Sequence, residues 1–388
     1  MKEKPVQRST ERVLTTHVGS LARPLPLLEL MREKEHGRDY DAAAYQEQVR
    51  RAVAEVTREQ VESGLDVVTD GEMSKVSFVS YIERRLGGLE ARPGTSMMPR
   101  SWQLEVDAFP GYYDDYFKKY AQAVAPLTVP VCTGPITYEG HDALQTDIAN
   151  LRAALEQSPA TEAFLPSTSP AILAENEYYG SEDEFLEAVA EALRVEWRAI
   201  VDAGLLVQLD DPWLIEMLTD DAFEPDARAA KARPHVERIN HALRGIPEDR
   251  VRFHTCYGLN HGPRVHDLPF AEVVDYMLGV NAGGYSFEVA NPRHMHEWKV
   301  WQDTKLPDGK VLIPGFLSHA TAFVEHPELI ADQIETYARL VGRENVIASA
   351  DCGYSSRASF HPEVHPSVVW AKFRALSEGA RIATERLW

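Results

Sequence analysis

The strongest constraint on the fold is a phrase that recurs along the chain: an amphipathic helix closes on a glycine, a short apolar run follows, and the run ends on polar residues. The helix Tyr40 to Ser63 stops at Gly64 and leads into Leu65-Asp66-Val67-Val68-Thr69-Asp70-Gly71-Glu72. The helix Glu182 to Ala203 stops at Gly204 and leads into Leu205-Leu206-Val207-Gln208-Leu209-Asp210-Asp211. The helix Glu328 to Val341 stops near Gly342 and leads into Val346-Ile347-Ala348-Ser349-Ala350-Asp351-Cys352-Gly353. In each copy apolar residues recur at helical spacing, a glycine supplies the left-handed stop, and a buried strand begins. Further strands are expected at Val13 to Val18, Val129 to Thr133, Val251 to Thr255, Tyr285 to Val289 and Val311 to Leu317, with Phe164 to Ser167 a weaker ninth candidate. Short buried strands alternating with helices imply a parallel sheet. The expectation is one α/β domain over residues 1–388, a (β/α)8 TIM barrel with loop insertions. No Gly-x-Gly-x-x-Gly follows any strand, which removes the main reason to choose an open doubly wound sheet. The proline-bearing stretches Arg92 to Arg100 and Glu224 to Pro234 read as surface excursions.

Composition narrows the class. With 388 residues, 44% of them hydrophobic, the chain can bury a large core. A net charge of -20 gives no basic footprint for nucleic acid or an anionic membrane. No run approaches the roughly 20 apolar residues of a membrane span, and Met1-Lys2-Glu3-Lys4-Pro5 opens no apolar signal core, so a cytoplasmic enzyme is expected. Three cysteines, Cys132, Cys256 and Cys352, are too few and odd in number for a disulfide framework.

Reactive residue types collect where the strands end, the face on which barrels build active sites. They are His17, Gly19 and Ser20; Asp70 and Glu72; Cys132 and Thr133; Asp210 and Asp211; His254 and Cys256; Glu288; His319; and Asp351 and Cys352. Buried carboxylates and histidines need a metal, a ligand or one another as compensation. In His254-Thr255-Cys256 the side chains two apart point to one side of an extended strand end. Cys352 and a carboxylate from other strands would complete a nitrogen, sulfur, sulfur, oxygen set suited to zinc. Alone, a His-x-Cys pair is more often two unrelated buried side chains.

Six ordered segments carry a resemblance: Leu14-Thr15-Thr16-His17-Val18-Gly19-Ser20, Val131-Cys132-Thr133-Gly134-Pro135, Gln208-Leu209-Asp210-Asp211-Pro212, His254-Thr255-Cys256-Tyr257, Ser286-Phe287-Glu288 and Asp351-Cys352-Gly353. Together they resemble the catalytic C-terminal barrel of cobalamin-independent methionine synthase, over about residues 13 to 357. The resemblance implies zinc held by His254, Cys256, Glu288 and Cys352. It implies that Ser20, Glu72 and Asp210 hold the amino-acid part of homocysteine, with His17 and Asp211 beside them, and that His319 handles a proton. Glu72, Asp210 and His319 are thus the implied catalytic residues. Zinc takes the place of the proton on a thiol, leaving a bound thiolate as nucleophile. Plainer readings stand beside these: Glu288 paired with Arg264 or Arg293, Ser20 and Asp211 as helix caps, Glu72 on an arginine, and Cys132 as a buried apolar residue.

The expected activity is a zinc-dependent transferase of methionine biosynthesis that methylates homocysteine. One barrel, with Tyr138 and Glu139 where the folate-dependent enzyme has its pterin platform, makes folate a doubtful donor. A methylated corrinoid protein is an alternative donor. The chain is also similar to epoxyalkane:coenzyme M transferase, in which a thiolate opens an epoxide; its sulfonate substrate would need Lys75, Arg23 or Arg293, whereas Glu72 and Asp210 suit an ammonium group. From other classes, a metal-free lyase like uroporphyrinogen decarboxylase and a corrinoid- or pterin-binding module without chemistry are the rivals. Oligomerisation through the outer helices is open.

Overall fold

The computed structural model describes residues 7–94, 98–120, 124–126, 128–172, 174–221, 223–258 and 261–388. Eight strands form the barrel: β1 (Leu14–Thr15), β2 (Val67–Thr69), β3 (Glu162–Thr168), β4 (Leu206–Asp210), β5 (Val251–His254), β6 (Gly284–Glu288), β7 (Val311–Leu317) and β8 (Ile347–Ala350). They run parallel in the order β1, β8, β7, β6, β5, β4, β3, β2. The seam between β1 and β2 is closed by Asp66. Its N–H donates to the Thr15 carbonyl at 3.0 Å, and its carboxylate accepts from the Thr15 N–H at 2.9 Å. The fold is the expected (β/α)8 barrel.

Helices pack outside the strands, among them Ala42–Glu62, Glu182–Asp202, Pro327–Val341 and Pro366–Leu387. The stops read from the sequence have the required backbone: Gly64 and Gly204 take φ of 85° and 80°, a region that penalises a Cβ. Inside the barrel, Leu14, Val67, Phe164, Leu206, Val311, Ile313 and Ile347 form one apolar layer. Above it the interior turns polar. Arg252 lies over the Phe164 ring at 3.9 Å and donates to Thr16 Oγ1 and the His17 carbonyl, and Gln208 donates to Asp210 Oδ1 at 2.8 Å. A floor of this kind fixes the strand ends that carry the site.

Two expectations need correction. The third barrel strand is Glu162–Thr168, the weaker ninth candidate, and not Val129 to Thr133. The latter belongs to Thr128–Tyr138, which pairs antiparallel with Leu86–Pro93 and parallel with Glu175–Asn176 in a separate sheet. Pro166, which has no N–H to donate, sits within the true strand. Its ladder with β2 ends at Phe164, so the proline lies beyond the last pair on that side. Cys132 and Thr133 therefore leave the barrel ring, and Cys132 is fully buried in the apolar core. The stretch Glu224 to Pro234 is no excursion. It opens the helix Pro225–Ala242, whose Ala232, His235, Val236, Ile239 and Ala242 are buried, with Pro234 inside it. Of Arg92 to Arg100, residues 95–97 lie outside the described residues, as does the opening segment Met1 to Pro5. No described helix is long and apolar enough to cross a membrane.

Candidate metal centre

At the mouth, β5 ends on His254 and runs into Cys256, and β8 runs into Cys352. These three buried residues offer donor atoms that all lie within 4.8 Å of one another. The sulfurs of Cys256 and Cys352 are 3.6 Å apart. Two sulfurs about 2.3 Å from one tetrahedral zinc would stand about 3.8 Å apart, so the observed pair fits. His254 Nδ1 is held by Asp210 Oδ1 at 2.9 Å, while its buried Nε2 has no hydrogen-bond partner among the described residues. A ring oriented by a carboxylate, with the other nitrogen left over, is how metal-binding histidines are arranged. The hydrogen bond from Cys352, with His254 nearby, pulls the Cys256 thiol well below its ordinary range against the effect of burial. Burial opposes charge on His254, yet Cys256 and Asp210 raise it to about 10. The Cys256 thiolate is thus favoured by a cationic neighbour, while Cys256 itself and burial push the Cys352 thiol up.

Glu288, the fourth expected ligand, falls outside this trio, held by the N–H of Tyr257, the residue after Cys256. Its donor atom groups with those of His319 and Asp351. Its Oε1 accepts the Tyr257 N–H at 3.2 Å and its Oε2 faces Arg264 Nη2 at 3.4 Å. Asp351 Oδ1 accepts the N–H groups of Val289 and Ala290 at 2.8 and 2.9 Å, tying β8 to the end of β6. Both ring nitrogens of buried His319 lack a partner among the described residues, and burial holds its pKa well below the usual value.

The remaining expected residues divide. Glu72 sits in the loop after β2 with φ 59°, a conformation that non-glycine residues adopt rarely and that concentrates at functional sites. Burial raises its carboxyl to about 7 although Lys75 and Arg23 oppose this, and among the described residues its Oε2 has no hydrogen bond, Arg23 lying 4.0 Å away. Ser20 Oγ contacts Ser356 Oγ at 3.2 Å, beside the Cys352 loop. Asp210 has one oxygen on His254 and Gln208. Asp211 is committed elsewhere: Oδ1 accepts from the Trp213 and Leu214 N–H groups and Oδ2 bonds His235 at 2.7 Å.

His17 does not join the mouth. Its ring packs on Phe373 at 5.1 Å, and Nε2 bonds Gln60 Oε1 at 2.8 Å. Burial lowers its pKa to about 4. Between pH 6.5 and 4 the unfolded chain therefore binds more protons at this position, and stability falls as pH falls through that window. Denaturant titrations at pH 7 and pH 4.5 are expected to show His17→Gln losing roughly 2 kcal/mol less than the wild type on acidification, at about 1.4 kcal/mol per unit. An equal loss in both proteins would refute the assignment.

Several supporting residues escaped the sequence reading. Gln208 and Arg252 interrupt otherwise apolar strands, a signal that could have marked them as interior polar groups. Glu196, Arg85 and Asp147 gave none: on surface-patterned elements they read as solvated charges, yet all three are buried together.

The architecture is that of a (β/α)8 barrel presenting a histidine and two cysteines to one point at its mouth. A family model described as the catalytic domain of cobalamin-independent synthase matches residues 13–129. A methionine synthase from Thermococcus kodakarensis is 26% identical over 347 residues, covering 87% of this chain and 86% of that protein. One from Saccharolobus solfataricus is 23% identical over 377 residues, covering 96% and 95%. The structure of a B12-independent methionine synthase from Shewanella sp. superposes with a TM-score of 0.70 at 19% identity, covering 97% of this chain and 99% of that one. The resemblance read from the motifs thus holds: over nearly its whole length the chain is similar to these methionine synthases, and its barrel superposes on that of a B12-independent one.

Proposed function

We propose that the chain, acting as one barrel domain, is a zinc-dependent methyltransferase that converts homocysteine to methionine. The observation that carries this reading is the convergence of His254, Cys256 and Cys352, with His254 Nε2 left for a cation. These residues would hold zinc, with Glu288 beside them. Bound zinc would let a substrate thiol react as thiolate at neutral pH. Asp210 orients His254 through Nδ1. Glu72, whose Oε2 is buried and unbonded, would accept the substrate ammonium, with Ser20 at the neighbouring loop. His319, buried with two unbonded nitrogens, would move the proton at the donor.

Coenzyme M is disfavoured by what the candidate cations already do. Arg23 donates to the carbonyls of Leu21, Ser355 and Lys75, and Lys75 donates to the Pro166 carbonyl and lies over the Tyr81 ring. Arg293 is exposed, with Nη2 on the Val265 carbonyl. A sulfonate would have to break such bonds, whereas an ammonium group meets Glu72 directly. Purified protein is expected to carry one zinc per chain, and its cobalt-substituted form to change its thiolate absorption on adding homocysteine at concentrations where coenzyme M has no effect. Absence of stoichiometric zinc, or a preference for coenzyme M, would overturn the proposal.

A further inference from the structure

Arg264 follows β5 with φ 59° and is buried. The molecule anchors it from several sides. Its N–H donates to Glu105 Oε2 at 3.1 Å, and its Nε spans both oxygens of Asp267 at 3.1 and 2.8 Å. Asp267 also bonds His294 Nε2 at 2.9 Å, His294 Nδ1 bonds Glu297 at 2.7 Å, and the Tyr257 ring stacks on His294 at 3.9 Å. So braced, Arg264 directs Nη2 at Glu288 Oε2, while the Tyr257 N–H takes the other oxygen. A guanidinium keeps its charge at any working pH. A carboxylate with one oxygen on such a cation and one on a backbone N–H has both oxygens engaged before any metal arrives.

We propose that Arg264 is a positioning residue that keeps Glu288 in reserve beside the His254, Cys256 and Cys352 trio, so that the fourth place of that donor set is open to the sulfur of the substrate. This rests on the metal-centre reading above. The geometry favours it because Glu288 shares its close donor group with His319 and Asp351 and not with the two sulfurs, although its Oε1 sits on the N–H of Tyr257, the residue after Cys256. Removing the guanidinium releases Glu288 toward the trio.

The test compares the wild type with Arg264→Met, Glu288→Gln and the double variant, each checked for folding by circular dichroism. Zinc affinity is measured by chelator competition, and homocysteine is titrated into the cobalt-substituted proteins. Arg264→Met is expected to bind zinc about tenfold more tightly and to need about tenfold more homocysteine for the same spectral change, at the lower end of what partners of ligands contribute. In the Glu288→Gln background the substitution is expected to change neither quantity. Unchanged or weaker zinc binding in Arg264→Met overturns the proposal, as does an effect that persists without the Glu288 carboxylate. If Arg264→Met does not fold, Arg264→Lys serves, since it retains charge beside Asp267 but loses the fork that reaches Glu288, and the same outcomes decide. A wild type without stoichiometric zinc removes the metal-centre reading itself, whereas a zinc-loaded wild type with an indifferent Arg264 variant removes the present proposal alone.

Discussion

Replacing Cys352 with serine is expected to lower zinc affinity by more than about a hundredfold and to abolish methyl transfer to homocysteine. Loss of a partner that only orients a ligand weakens metal binding about 10–100-fold, and Cys352 is a candidate ligand itself. A serine hydroxyl is neither soft nor ionised at neutral pH, so the cation would lose half of its sulfur donors. The change is nearly isosteric, and the buried strand end keeps Asp351 on the Val289 and Ala290 N–H groups. The melting temperature of the metal-free protein is therefore expected to stay near that of the wild type. Metal content after gel filtration, with turnover on homocysteine, checks the prediction. A Cys352→Ser protein that retains one tightly bound zinc would mean that the sulfur pair is only a packed contact.

The largest effect on stability is expected away from the mouth, at Glu196. Its carboxylate accepts from Tyr81 and Tyr138 hydroxyls at 2.7 Å each, from Ser167 Oγ at 2.9 Å and from Arg85 Nη1 at 3.0 Å, and Arg85 also pairs with Asp147. Burial would raise this carboxyl, but Arg85, Lys75 and the two tyrosines bring it to about 2. The network joins the helix Glu182–Asp202, strand β3 and, through Tyr138, the separate sheet of Leu86–Pro93 and Thr128–Tyr138. Glu196→Ala removes the shared acceptor and leaves Arg85 half-compensated in the interior. A loss of about 3–5 kcal/mol is expected, the range for breaking a buried pair from one side, measured by urea unfolding at pH 7. A loss under about 1 kcal/mol would show that water replaces the missing carboxylate.

Much of the architecture was legible because it is written locally. Helical apolar spacing, the glycine stops and short buried runs identify the element types, and Asp210, His254, Glu288 and Cys352 stood out as polar residues at strand ends. Where one residue blurred the local pattern the reading failed. Phe164 to Ser167, interrupted by Pro166, is a barrel strand, and the apolar Val129 to Thr133 stood in for it although it pairs in the separate sheet. His17 occupies a strand end like the others, yet its side chain turns to Gln60 and Phe373, because the outward side of a barrel strand meets the helix layer.

The amino-acid sequence alone therefore determined the barrel and the kinds of donor available at its mouth, since period and composition act over a few residues at a time. Tertiary structure decided which donors meet. Cys256 and Cys352, 96 residues apart, come to 3.6 Å only because the strand order sets β5 and β8 on one closed wall. Whether a carboxylate stays free for a ligand was likewise settled by neighbours distant along the chain: Asp211 is taken by His235 and Glu288 is drawn toward Arg264. Buried charges must find compensation in three dimensions, and no local pattern names the partner that provides it.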